Sequence, residues 1–196
     1  QDVLLAGLFS KTNFLDVLQN FTVFEPVDGR IIKKIPRYQQ FRAVHKTIER
    51  LKDGETPKDK SGVIWHTQGS GKSLTMVFLT IKMRRDPELR DYKLVFLTDR
   101  TQLDNQLTST FSNAQGETIR HADSVKSLKE LLASDASDII TAMVQKFQES
   151  ADDLEFPVLN NSEKIIILAD EAHRTQYGAL GAAINTALPN APRIAF

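Results

Sequence analysis

Two short stretches carry residue types that could do chemistry together. The first is His66-Thr67-Gln68-Gly69-Ser70-Gly71-Lys72-Ser73, preceded by the apolar run Val63-Ile64-Trp65 and followed by a segment with helical spacing. Strand, glycine-rich loop, Lys-Ser and helix is the order a phosphate-binding loop requires. Gly69 and Gly71 let backbone N–H groups turn onto phosphate oxygens with no Cβ in the way. Thr67, Gln68, Ser70 and Lys72 complete the cradle, with Lys72 reaching the β- and γ-phosphates and the Ser73 hydroxyl a ligand for Mg²⁺. His66 stands where the full pattern has glycine.

The second stretch is Asp170-Glu171-Ala172-His173, directly after Ile165-Ile166-Ile167-Leu168-Ala169, the most apolar run of the chain. Adjacent carboxylates at the end of a buried strand can divide their duties. Asp170 can hold Mg²⁺, and Glu171 can polarise a water that attacks the γ-phosphate. By itself Asp-Glu after an apolar run is commonly a surface turn. With a phosphate loop in the same chain it becomes the expected second half of a nucleotide-hydrolysis site.

The elements that must hold these residues read as follows. Apolar residues from Val3 to Phe24 have helical spacing, with Phe21–Phe24 a possible short strand, a turn at 26–29 and a second β-like run at Arg30–Lys33. Positions 41, 44, 48 and 51 form one helix face over Tyr38–Leu51, and Lys52–Lys60 reads as a charged loop. Beyond it, short apolar runs alternate with helical stretches. Val63–Trp65, Leu94–Leu97, Thr118–Arg120, Ile139–Val144, Ile165–Ala169 and Arg193–Phe196 are the expected strands. Helices are expected at Leu74–Met83, Thr101–Phe111 and Ser124–Leu132, the last capped by Ser124. Strands apolar on both faces and separated by helices predict an α/β fold, a parallel β-sheet with helices on both faces. Ligands of such sheets bind at the carboxyl ends of the strands, where both stretches fall.

Composition narrows the function classes. The 196 residues are 41% hydrophobic and 26% charged, which is globular and within the size of one domain or one domain with an appendage. With no cysteine, disulfides, thiolate zinc sites and cysteine nucleophiles are excluded. No stretch has the ~18 consecutive apolar residues of a membrane span, and no basic n-region precedes the first apolar run. The reading is a soluble, cytoplasmic protein with no membrane partner. Lys+Arg and Asp+Glu are 25 each, yet residues 1–110 hold 18 basic and 13 acidic side chains and residues 111–196 hold 7 and 12. Indiscriminate coating of nucleic acid is excluded, whereas a local basic region can still meet phosphates.

His66–Ser73 and Asp170–His173 resemble motifs I and II of superfamily 2 DExH-type motors with a RecA-like P-loop NTPase lobe. Further stretches resemble the restriction subunit of type I restriction–modification enzymes: Phe21–Glu25, Arg37–Val44, Trp65–Met76, Thr98–Leu107 and Asp170–Gln176. The resemblance is weakest at 112–126 and 151–163. It implies ATP and Mg²⁺ as ligands, with Lys72, Asp170 and Glu171 catalytic and Ser73 and Asp170 on the metal. Gln40 is implied as adenine reader, with Ala43 at the usual interval after it, and Arg37 as a residue stacked on the base. Asp99, Arg100 and Thr101 match a DNA-contacting motif Ia, Thr141–Gln145 matches motif Ib, and His173 would couple nucleotide state to DNA. A helix-cap reading of Thr101 stands beside that role.

The resemblance further implies residues 1–36 as a connector from an N-terminal nuclease domain and 37–196 as the first RecA-like motor domain, stopping before a Thr-Gly-Thr-Pro-like motif III. A second lobe would supply the arginine fingers, so this segment is expected to carry half of an ATPase site. The implied activity is ATP-dependent translocation on double-stranded DNA leading to cleavage of unmodified DNA, with methyltransferase and specificity subunits as partners. Another superfamily 2 DNA or RNA helicase, or a nucleotide-gated nucleic-acid-binding module, are the alternatives.

Overall fold

The computed structural model describes residues 7, 9–27, 29–67, 69–98, 108, 119–143, 156–170 and 177–196. Among the described residues, helix α1 spans Lys11–Asn20 and is capped by the Ser10 hydroxyl, which accepts the Asn13 N–H at 3.3 Å. Strands β1 (Val23–Val27) and β2 (Arg30–Lys34) follow as an antiparallel pair with Lys34 ion-paired to Glu25. Gly29 makes their turn at φ +75°. An isolated two-stranded hairpin is marginal in water. This one is tethered through its neighbour α1, whose end packs the fully buried Phe21 against Phe41 and Phe78, ring centroids 4.8 and 5.5 Å away.

Helix α2 (Tyr38–Asp53) buries Val44, Ile48 and Leu51, the face its spacing predicts. The expected charged loop contains a single helical turn, α3 (Pro57–Lys60). Thr56-Pro57-Lys58-Asp59 is a complete capping box: Thr56 Oγ1 accepts the Asp59 N–H and the Asp59 carboxylate accepts the Thr56 N–H. The strand expected at Val63–Trp65 is only β3 (Gly62–Val63). Ile64 still donates its N–H to Ala195 O at 2.8 Å, whereas Trp65 is 89% exposed. Among the described residues β3 has one ladder partner, β8, and the chain must leave the sheet at once to form the loop.

Helix α4 (Lys72–Arg85) is followed by β4 (Lys93–Thr98), β5 (Ile119–Ala122), α5 (Val125–Ala133), β6 (Ile139–Met143), β7 (Ile165–Ala169), α6 (Tyr177–Ala187) and β8 (Arg193–Ala195). Ser124 caps α5 as its sequence predicts. Helix α6 has no counterpart in the sequence reading. The helix expected at 101–111, all but Thr108, lies outside the described residues, as do Thr118 and Val144 of two expected strands.

The six strands form one parallel sheet in the order β3-β8-β7-β4-β6-β5. Alternation along the strands builds two cores. Leu94, Phe96, Ile166 and Leu168 pack with α2 and α4 on one face. Val95, Leu97, Ile165 and Ile167 pack with α5 and α6 on the other. Truncating a fully buried ring such as Phe96 to alanine costs about 3–5 kcal/mol by cavity formation. Burial on both faces explains why these strands read as continuous apolar runs. Parallel pairing also brings every strand's carboxyl end to one edge of the sheet.

Candidate nucleotide site

At that edge the loop after β3 is held in a defined shape. Ser70 N–H donates to Thr67 O at 3.1 Å, closing a turn in which Gly69 has φ +76°. Gly71 has φ +91° and precedes Lys72, the first residue of α4. Both glycines adopt backbone that side-chain-bearing residues rarely reach. An ideal Cβ on Gly71 would stand 2.7 Å from Gln40 Nε2, whereas one on Gly69 would meet nothing within 4 Å. Lys72 and Ser73 occupy the first turn of α4, where backbone N–H groups have no intrahelical acceptor and the helix dipole favours anions. Helix α4 is firmly seated: Thr75 to Ile81 are all buried.

Gln40 is buried at 3% exposure and ties α2 to the loop. Its Nε2 donates to Gly71 O at 3.0 Å, and its Oε1 accepts the Arg37 N–H at 2.8 Å. Thr75, which the sequence reading did not single out, donates both its N–H and its hydroxyl to the same Gly71 oxygen at 3.0 Å. Arg37 is exposed at the start of α2, as a base-stacking residue would need.

His66 is likewise more than a substitution for glycine. Its Nδ1 lies 3.0 Å from Ser70 Oγ, and that hydroxyl donates to Thr67 O at 2.6 Å. Burial, aided by the charge of Lys72, holds the imidazole pKa below its ordinary value. The spacing of His66 and Ser70, four residues apart with Gly69 between them, is the signal that could have revealed this contact.

Asp170 follows β7 and is 1% exposed. Its N–H donates to Leu97 O at 2.9 Å, which carries β7's pairing with β4 one residue further. β8 alone separates β7 from β3, so the two loci leave the sheet about 10 Å apart by strand spacing. The Ser73 hydroxyl and the Asp170 carboxylate are hard oxygen donors and fit Mg²⁺. The fold therefore gathers Arg37, Gln40, Thr67, Gly69, Ser70, Gly71, Lys72 and Ser73 around one loop and sets Asp170 on the same edge. Gln68, Asp99, Arg100, Thr101, Gln145, Glu171 and His173 lie outside the described residues. Among the described residues no helix is long and apolar enough to cross a membrane.

Comparison with known proteins agrees with this geometry. The SWI2/SNF2 ATPase family profile matches residues 39–196. A Methanocaldococcus jannaschii protein named as the endonuclease subunit of type I restriction enzyme MjaIXP is 42% identical over 200 residues, covering 100% of this chain and 19% of that protein. The type I restriction enzyme HindI endonuclease subunit of Haemophilus influenzae is 37% identical over 182 residues, covering 89% of this chain and 17% of its own length. A type I restriction enzyme endonuclease subunit from Staphylococcus saprophyticus is 27% identical over 188 residues, 92% of this chain and 19% of that protein. The chain thus spans about a fifth of each of these three relatives. With its parallel sheet, its glycine loop at a helix N-terminus and this match over most of its length, the chain is a superfamily 2 motor segment and belongs to the SWI2/SNF2 ATPase family.

Proposed function

We propose that this chain is the nucleotide-binding lobe of a motor that uses ATP to move double-stranded DNA within a type I restriction enzyme, ending in cleavage of unmodified DNA. The observation that carries it is the loop in which Gly69 and Gly71 adopt positive φ and deliver Lys72 and Ser73 to the N-terminus of α4. Backbone N–H groups and the Lys72 ammonium hold the β- and γ-phosphates. Mg²⁺ bound with ATP offsets phosphate charge, and Ser73 and Asp170 are the oxygens this chain offers it. Glu171 orients the attacking water and accepts its proton. Arg37 and Gln40 attend to the base.

Asp99, Arg100, Thr101 and Gln145 contact DNA in this reading, and His173 links them to the nucleotide. Residues 1–36 serve as a connector and 37–196 as the motor lobe. Methyltransferase and specificity subunits are the partners, and the cytoplasm is the compartment. The names of the relatives support the restriction role.

The test is ATP hydrolysis by the full-length protein in its complex, with and without unmodified duplex DNA. Turnover stimulated by duplex DNA is expected, with Lys72→Ala weakening both binding and hydrolysis and Glu171→Gln removing hydrolysis while sparing binding. Turnover that single-stranded nucleic acid stimulates better than duplex would overturn the duplex reading. A Glu171→Gln variant as active as wild type would remove its catalytic assignment.

A further inference from the structure

The hydroxyl of Ser70 has one proton, and the 2.6 Å contact with Thr67 O takes it. Ser70 Oγ must therefore accept from His66 across their 3.0 Å contact, which requires a proton on Nδ1. Burial and the Lys72 charge both favour the neutral ring. A neutral ring protonated at Nδ1 has a bare Nε2, which is an acceptor and has nothing to offer a phosphate oxygen. The imidazole is thus bonded to the loop and unsuited to be a phosphate ligand.

We propose that His66 is a positioning residue of the phosphate loop, its Nδ1–H bracing Ser70 across the turn so that the loop stands in its nucleotide-holding shape before nucleotide arrives. The proposal deepens the reading of this loop as an ATP site and rests on it. Ser70 is held by three bonds to two partners: its N–H and its hydroxyl both donate to Thr67 O, and its oxygen accepts from His66. The chain on either side of it is glycine, at φ +76° and +91°. Glycines lose more conformational freedom on ordering than other residues, so a loop pinned between two of them needs an external hold to stay in one shape. On the far side Gly71 is held by Gln40 and Thr75, whereas His66 holds the near side. A preorganised loop lowers the ordering cost of binding without touching the chemical step, so the effect falls on affinity.

Three substitutions test this in the full-length protein. His66→Ala removes the donor. His66→Asn puts an amide N–H near the position of Nδ1, and His66→Gln puts one near Nε2. The readouts are the Kd for Mg²⁺ with a non-hydrolysable ATP analogue, by calorimetry, and kcat and KM for ATP. His66→Ala is expected to raise Kd and KM about tenfold with kcat within about twofold of wild type. Asparagine should restore most of the affinity, and glutamine should behave as alanine does. Ser70→Ala should raise Kd at least as much, because it also removes the hydroxyl's bond to Thr67 O, and the double variant should be no worse than Ser70→Ala alone, because the bond to His66 is already gone there.

An unchanged Kd in His66→Ala overturns the brace alone. A fall in kcat with unchanged Kd also overturns it, because the imidazole would then act on the reaction. Rescue by glutamine and not by asparagine overturns the Nδ1 assignment and the brace with it. If wild type binds no analogue, the ATP reading itself falls and takes the brace with it.

Discussion

Gln40 donates its side-chain amide to the carbonyl of Gly71, 3.0 Å away across 31 residues of chain. Its other end accepts the Arg37 N–H, so both halves of the amide are engaged within the protein. An adenine reader at this position would exchange one of those bonds for the base, which links nucleotide occupancy to the hold on the loop.

That link predicts an ordered series. Gln40→Ala should raise the KM for ATP about tenfold, as expected for the net loss of about 1.4 kcal/mol of hydrogen bonding. Gln40→Glu should be worse, because a carboxylate cannot donate to Gly71 O and is repelled by it. Steady-state kinetics of the whole protein decides the order, and a glutamate variant equal to wild type would show that the contact is dispensable.

Gly69 and Gly71 should respond differently to alanine. Both positions have positive φ, costing a side chain about 1–3 kcal/mol in strain. At Gly71 the new methyl also meets Gln40 Nε2 at 2.7 Å, whereas at Gly69 it meets open space. Gly71→Ala is therefore expected to lose nucleotide binding and melt lower than Gly69→Ala. Paired melting curves and analogue titrations check both, and equal effects would mean that strain, not the Gln40 contact, governs.

Helix α1 is latched to the lobe through Asp16. Its carboxylate accepts from Lys82 at 2.7 and 2.9 Å and from Asn20 at 2.6 Å, with His45 Nε2 at 2.7 Å. Burial pushes its pKa up, but the hydrogen bonds from Asn20 and Lys82 and the charges of Lys82 and His45 outweigh burial and leave it below 3.8. A lowered folded-state pKa means stability that is fully present above the ordinary carboxylate value and lost as pH falls through the lowered one. Asp16→Asn should cost about 2 kcal/mol at pH 7, less than a fully buried pair would. The gap between wild type and variant should close as melting is followed from pH 7 down towards pH 3. A gap independent of pH would contradict the assignment.

Lys93 enters a buried position on β4 and spends its ammonium on the end of α5. It donates to Leu131 O at 2.7 Å, to Ser134 O and to Ser134 Oγ at 3.1 Å. Burial lowers its pKa, opposed by Asp138 and Asp135. Lys93→Met keeps the stem but leaves helix-end carbonyls short of donors. A loss of about 2 kcal/mol is expected, or about 4–8 °C in Tm for a domain of this size. An unchanged Tm would mean that Asn160, which donates to Leu132 O and Ser134 O, suffices as a cap.

The sequence by itself determined the sheet's main strands, because a strand buried on both faces has nowhere to put polar side chains: Ile165–Ala169 is β7 to the residue. It also determined the glycine loop ahead of α4, because positive φ restricts the residue types at Gly69 and Gly71, and the α5 cap at Ser124, a local hydrogen bond. What depended on distant partners was not legible. Val63–Trp65 reads as one strand, but among the described residues β8 is its one ladder partner, and β3 stops at Val63. The turn of helix at Pro57–Lys60 was hidden by its charge. The resemblance marks Gln40 as an adenine reader, but its bond to Gly71 O, 31 residues away, exists only once α2 packs beside α4. His66 reads as a missing glycine until the turn through Gly69 brings Ser70 Oγ to 3.0 Å from its Nδ1. Local chemistry is written in residue types and spacings, whereas which carbonyl a side chain finds is decided by packing between elements far apart in the chain.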